Sequence, residues 1–266
     1  MHPCKGGTDR LDANRDPAAH HAFRLKLPME YASSLPTGAT KQAVEVLGRR
    51  IANDVYAPDE IMPTEAELTQ SLGASRTTVR DAIKVLSGKG LVRTARRYGT
   101  RVRPVGEWNL LDGDVVGWHA PDHPRIKRMF FETTELRVIL EPEAAAIAAE
   151  RATDAQIETI VSAAYAIRPG DTDVQSLFSA DCQFHTTLLD ATHNDVMRQM
   201  RQIILTMLRI SYEFGVLVAH EEDVSGDGHV RVAEEIRGRR PDAARREMAT
   251  MLEQNKRIAA HYWSTR

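Results

Sequence analysis

Cysteine is nearly absent from this chain: there are two in 266 residues, Cys4 and Cys182, in unrelated contexts. That leaves little basis for a disulfide framework, and a reduced, cytoplasmic setting is expected. Long hydrophobic runs are missing too. No stretch approaches the roughly 18 apolar residues that a spanning helix needs, so no membrane partner is expected. The opening M-H-P-C-K-G-G-T-D-R-L-D-A-N-R-D-P contains no hydrophobic signal core. Residues 1–37 mix Pro, Gly, His and alternating charges, and read as a disordered extension. Nor does the chain carry a strong charge of one sign, with 35 Lys and Arg against 37 Asp and Glu.

That near-neutrality hides an asymmetry. Residues 40–103 hold 12 basic and 7 acidic side chains, whereas residues 104–266 hold 18 basic and 26 acidic. A phosphate contact therefore belongs to the N-terminal part, and the acidic remainder is not expected to lie on DNA.

The basic part has a recognisable order. Thr64 is an N-cap candidate for a helix carrying Ala66, Leu68 and Leu72, and Gly73 ends it. Ser75 caps a second helix in which Val79, Ala82, Ile83 and Leu86 form one buried stripe. The other face begins with Arg76, Thr77, Thr78 and Arg80, in the first turns, where a recognition helix presents side chains to base edges. Arginine grips guanine O6 and N7 with two parallel bonds; threonine hydroxyls and the helix N-terminus suit phosphate oxygens. Gly90 then releases the chain into two expected strands, 91–94 and 100–103, around Ala95-Arg96-Arg97-Tyr98-Gly99. An arginine-tipped hairpin fits a minor groove or a phosphate row. The competing reading, plain scaffolding with solvated arginines, does not account for cap, turn glycine and hairpin occurring in this order.

After Pro104 and Gly106, W-N-L-L-D-G-D-V-V-G-W reads as a linker, 105–123, that packs by its tryptophans. From Pro124 the apolar period is helical throughout. Helices are expected at about 125–151, 154–167, 173–192, 195–219, 228–238 and 241–262, with Pro142 kinking or restarting the first and Pro241 opening the last. Short connections make this an antiparallel bundle. The fold class is therefore mainly α: a winged helix-turn-helix domain (38–104) with a small β-hairpin wing, followed by an all-α effector and dimerization domain (124–266).

One constellation in the bundle carries chemistry. Asp181 and His185, four residues apart, share a helix face, and His229 opens a later helix able to fold back on it. A carboxylate and two imidazoles suit a divalent metal such as Zn, Ni, Mn or Fe. The alternative is a hydrogen-bonded structural cluster. His193, His220 and His261 lack matched partners and read as surface residues. Such an ion could also activate water for hydrolysis. No nucleophile or general-base motif accompanies it, however, and hydrolysis leaves the arginine face unexplained. A helical domain that only dimerizes is a third possibility.

These motifs together resemble a GntR-family transcription regulator of the FadR type. The resemblance covers about 40–262: P-T-E-A-E-L, S-R-T-T-V-R-D-A-I-K-V-L, G-L-V and R-R-Y-G-T, then E-L-R-V-I-L-E-P-E-A-A-A-I-A-A-E-R-A and D-C-Q-F-H. It implies DNA contacts at Thr64, Glu65, Ser75, Arg76, Thr77, Thr78 and Arg80, with Arg96, Arg97 and Gly99 at the wing tip; Ala66 stands where some relatives offer arginine. It also implies a metal site with Asp181, His185 and His229 as three ligands. The place of a fourth, histidine in the metal-binding branch, is taken by Met251, a poor ligand for hard or borderline ions. Within the family the chain is similar to the galactonate-operon repressor subgroup, on W-N-L-L-D-G-D-V-V-G-W and on Met251. That implies a sugar-acid effector, or a related organic acid, whose carboxylate is held by a metal or by Arg137. Arg137 equally suits an i,i+4 brace with Glu141. The implied whole is a homodimer on a palindromic operator, released by a small acid.

Overall fold

A computed structural model of the chain describes residues 25–27, 35–95, 97–167, 173–213 and 227–264. Their contacts divide into two compact units. Among the described residues, the first unit holds 35–110 and 118–120; the second holds 25–27, 111–117 and the chain from Pro121 on. Of the extension 1–37, only 25–27 and 35–37 are among the described residues.

The first unit is built on three helices. Helix α1 (Gly38–Ala52), which the sequence reading had not singled out, buries Val44, Leu47 and Ile51 against α3. Helix α2 (Glu65–Leu72) opens with a capping box: the Thr64 hydroxyl accepts from Glu67 N–H at 3.3 Å while the Glu67 carboxylate accepts from Thr64 N–H at 2.7 Å. Gly73, at φ 59°, ends α2 in the left-handed region. Helix α3 (Arg76–Gly88) is capped by Ser75, which accepts from Thr78 N–H at 3.1 Å, and buries Val79, Ala82, Ile83 and Leu86.

Strands β1 (Val92–Ala95) and β2 (Gly99–Val102) pair antiparallel, Val92 opposite Val102. Pairing extends further toward the tip than the sequence predicts. Ala95 pairs with Gly99, whose φ of 75° suits glycine, and Tyr98 N–H donates to the Ala95 carbonyl at 3.0 Å, so the turn spans three residues. The outer edge of β2 is covered by residues 59–62, through Met62 N–H to Thr100 O at 2.8 Å and Val102 N–H to Glu60 O at 3.0 Å. Trp118 closes this unit. Its indole lies so close over Gly48 that a Cβ there would sit 2.5 Å from the ring, and Asn53 fastens it by donating to Trp118 O and accepting from Ala120 N–H.

The second unit is all helical. Helix α4 (Gly113–Gly117) buries Val115 and Val116 and packs on α9. Helix α5 (Pro124–Arg151) continues through Pro142 without the restart the sequence allows, and Ala144, Ala145, Ala148 and Ala149 just beyond it are fully buried. Helices α6 (Asp154–Ala166) and α7 (Val174–Ala191) follow, each capped by the preceding Thr153 or Asp173. The single helix expected at 195–219 is divided into α8 (Asp195–Gln199) and α9 (Arg201–Glu213), with Met200 N–H bonded back to Met197 O in a tightened turn. Its expected end falls outside the described residues. Helices α10 (Asp227–Arg237) and α11 (Pro241–Ser264) complete the unit, the last opened by its proline. Around α5 lie α7, α9, α10 and α11, and their shared interior positions the site described next.

Candidate functional site

In the first unit, α3 keeps one face free. Arg76, Thr77 and Arg80 are exposed and Thr78 half-buried, because the buried stripe occupies the opposite side. Two of these residues are already engaged. The Thr78 hydroxyl lies 2.9 Å from that of Ser75, and Arg80 Nε donates to Glu65 Oε2 at 2.7 Å across the helix-turn-helix. Both members of the latter pair are open to solvent, so the bond contributes roughly 0–1 kcal/mol and is exchangeable for another acceptor. At the wing, Arg97 is exposed with φ 71°, two residues before Gly99; Arg96 lies outside the described residues. Three residues not singled out from sequence share this surface. Arg93 and Arg101 stand opposite each other in register, and Tyr98, 76% exposed, lines one shallow recess with them. Their alternation with Thr94 and Thr100 was the available signal, since strand residues two apart share a face.

In the second unit, the interior holds a polar cluster from four helices. Helix α7 supplies Asp181 and His185, α10 supplies His229, α5 supplies Arg137 and Glu141, and α9 supplies Tyr212. Asp181, His185 and His229 are all buried, with one ligand atom of each within 4.8 Å of the others. Asp181 Oδ1 is 3.1 Å from His185 Nε2 and 3.3 Å from His229 Nε2. Donors sharing an ion at about 2.1 Å are expected roughly 3.0–3.4 Å apart, so this spacing fits. The atoms are not aligned as ordinary hydrogen bonds: Asp181 Oδ1, His229 Nε2 and His185 Nδ1 are buried without a hydrogen-bond partner. Unmade bonds in a dry interior are costly, and a cation would satisfy the first two at once. Phe184 stands edge-on to both imidazoles, at 5.1 and 4.9 Å between centroids, and fixes the ring planes.

Glu141 and Arg137 complete the cluster. Arg137 Nε donates to Glu141 Oε1 at 2.7 Å, so the i,i+4 brace forms; its Nη2 also lies 3.1 Å from His185 Nε2. The other Glu141 oxygen lies 2.9 Å from His185 Nδ1. A guanidinium can only donate, so Arg137 or an ion meets a lone pair at His185 Nε2 when the ring proton is on Nδ1, the nitrogen that faces Glu141. That is the arrangement in which a carboxylate orients a ligating histidine. Burial alone would raise the Glu141 pKa; the Arg137 guanidinium and His185 outweigh it and bring it from 4.5 down to about 2. Asp181 likewise falls well below the usual carboxylate range, its burial outweighed by two imidazoles. Burial would lower the His185 pKa, and Glu141 reverses this and raises it. The Tyr212 hydroxyl, raised by burial and by Asp181, stays protonated against that carboxylate.

The structure brings Asp181, His185, His229 and Arg137 together, and adds Glu141 as a neighbour of His185 and Tyr212 as a neighbour of Asp181, which no spacing in the sequence marks. Both sit on other helices than the motif, and only packing reveals them. Met251 is buried on α11, with its Cγ 2.9 Å from where a Cβ on Gly228 would lie, one residue from His229. His193 is exposed, 3.2 Å from Gln156 Oε1, and His261 is exposed; His220 lies outside the described residues. Cys182 is free and buried, its thiol pushed up by burial; Cys4 lies outside the described residues.

Comparison with known proteins bears on both units. Residues 39–102 match the family described as bacterial regulatory proteins, gntR family, and residues 132–254 match the FCD domain. The galactonate operon transcriptional repressor of Escherichia coli K12 is 32% identical over 174 residues, 65% of this chain and 76% of that one. The transcriptional repressor NanR of Citrobacter rodentium is 31% identical over 213 residues, 78% of this chain and 80% of its own. The solved structure of Lar, described as controlling the Listeria monocytogenes agr system, shares the fold at 18% identity and a TM-score of 0.50, covering 85% of this chain and 98% of that one. Both repressors are named as transcriptional regulators, which sets the hydrolase reading aside.

Proposed function

The chain belongs to the GntR family of bacterial regulatory proteins, with an FCD domain behind its DNA-binding module, and from that premise we propose a cytoplasmic homodimeric repressor of a sugar-acid catabolic operon. The observation that carries the ligand-responsive part is the buried Asp181, His185 and His229 cluster with its unmade bonds.

On the DNA side, Arg76 and Arg80 read base edges in the major groove, with Thr77 and Thr78 beside them. Thr64 and Ser75, at two helix N-termini, take phosphate oxygens, and Glu65 orients Arg80. Arg96, Arg97 and Gly99 place the wing tip at the flanking minor groove. Two copies on a palindrome supply two reading heads.

On the effector side, Asp181, His185 and His229 would hold a divalent ion, Zn, Ni or Mn, which when bound supplies a Lewis-acidic position for an aldonate carboxylate. Glu141 keeps His185 in the ligating tautomer. Arg137 lies beside the place where that carboxylate would sit, and neighbouring polar side chains read the hydroxyls. Met251 leaves the fourth place to the ligand. Release of the operator follows because the acid binds more tightly to a domain arrangement whose heads no longer match the half-sites.

The test is promoter binding by fluorescence anisotropy, titrated with a panel of sugar acids, with and without chelator. The reading predicts release by at least one aldonate, abolished in Asp181→Ala; release by no acid, or release untouched by that substitution, contradicts it.

A further inference from the structure

A short piece of chain bonds to both the first turn of α7 and the last of α9. Leu25 is 9% exposed, and its N–H donates to the Glu213 carboxylate at the end of α9. At the next residue, Lys26 N–H donates to Gln175 Oε1 at 2.9 Å and Lys26 O accepts from Gln175 Nε2 at 3.0 Å. One side-chain amide thus satisfies both polar groups of a residue, as a neighbouring strand would. Gln175 is held for this by Ser179, which receives a bond from Gln175 Nε2 at 3.2 Å and donates to its carbonyl at 2.7 Å. Leu25 points in, Lys26 out, and Leu27 is half-buried, the alternation of an extended segment on a surface.

We propose that Gln175, Glu213 and the surface that buries Leu25 form an intramolecular docking site for main chain, occupied by Leu25–Leu27. Recognition is two-part: backbone groups are read without regard to sequence, and Leu25 supplies the apolar anchor.

Hydrogen exchange on the full-length protein, without DNA, tests the docking. The amides of Leu25 and Lys26 are expected to exchange at least about tenfold more slowly than unstructured chain. Gln175→Ala and Leu25→Asp, each checked by circular dichroism for an intact fold, should return them to the unstructured rate. Unprotected amides in the wild type, or protection surviving both substitutions, overturn the docking.

Discussion

At the scale of single residues, the site is held together by charges that cancel where water cannot reach them. Glu141 touches both Arg137 and His185, and its pKa is about 2 in the folded chain against an ordinary 4.5. A depressed carboxylate contributes stability that is fully present above 4.5 and is lost as pH falls through 2. Glu141→Gln should therefore unfold with a weaker pH dependence between about 4.5 and 2 in urea titrations, while costing a few kcal/mol at neutral pH by stranding Arg137. An acid profile identical to wild type would remove Glu141 from the account. Met251 gives a second test. Replacement by histidine adds an imidazole beside His229, and zinc affinity measured by calorimetry should rise on the order of tenfold or more. On the DNA face, Arg80→Ala should cost about 1–3 kcal/mol in promoter binding, with thermal stability nearly unchanged because the Glu65 pair is solvent-exposed. Equal losses on random fragments would show that Arg80 carries no sequence information.

At the scale of elements, what was legible from sequence was what is local. Thr64, Gly73 and Ser75 each act within three residues of themselves, through a hydroxyl or a left-handed backbone, so the helix-turn-helix could be written from its letters. The pair of Asp181 and His185 was legible for the same reason, being one helical turn apart. The contacts of Glu141 and Tyr212 with that pair depend on how α5 and α9 pack against α7, and no spacing rule encodes that. At Pro142 the restart that the local rule allows does not occur, and α5 continues through it as one helix with buried alanines beyond. The wing shows a smaller departure, since the strand ends depend on a turn closed by Tyr98 and on pairing with residues 59–62, far off in sequence. Helix α1 carries its own prediction. Gly48→Ala would drive a methyl into the Trp118 indole, so it should destabilise the protein by about 1–3 kcal/mol, read as a lower midpoint in urea. An unchanged midpoint would mean that Trp118 is free to move away.

At the scale of the whole molecule, the chain divides its labour by charge. The basic residues concentrate in 40–103, and the acidic majority lies beyond 104. Binding to DNA should accordingly weaken steeply with salt through the N-terminal module alone. In the proposed function the acidic domain, with its buried cluster, contributes control and not contact. The anisotropy of a labelled fragment of the protein's own promoter, at moderate ionic strength, addresses this division most directly when compared with a random fragment and followed through addition of sugar acids. The account predicts tight binding to the promoter, weak binding to the random sequence, and loss of the difference when an effective acid is added. Equal affinity for both fragments, with or without acids, would contradict it.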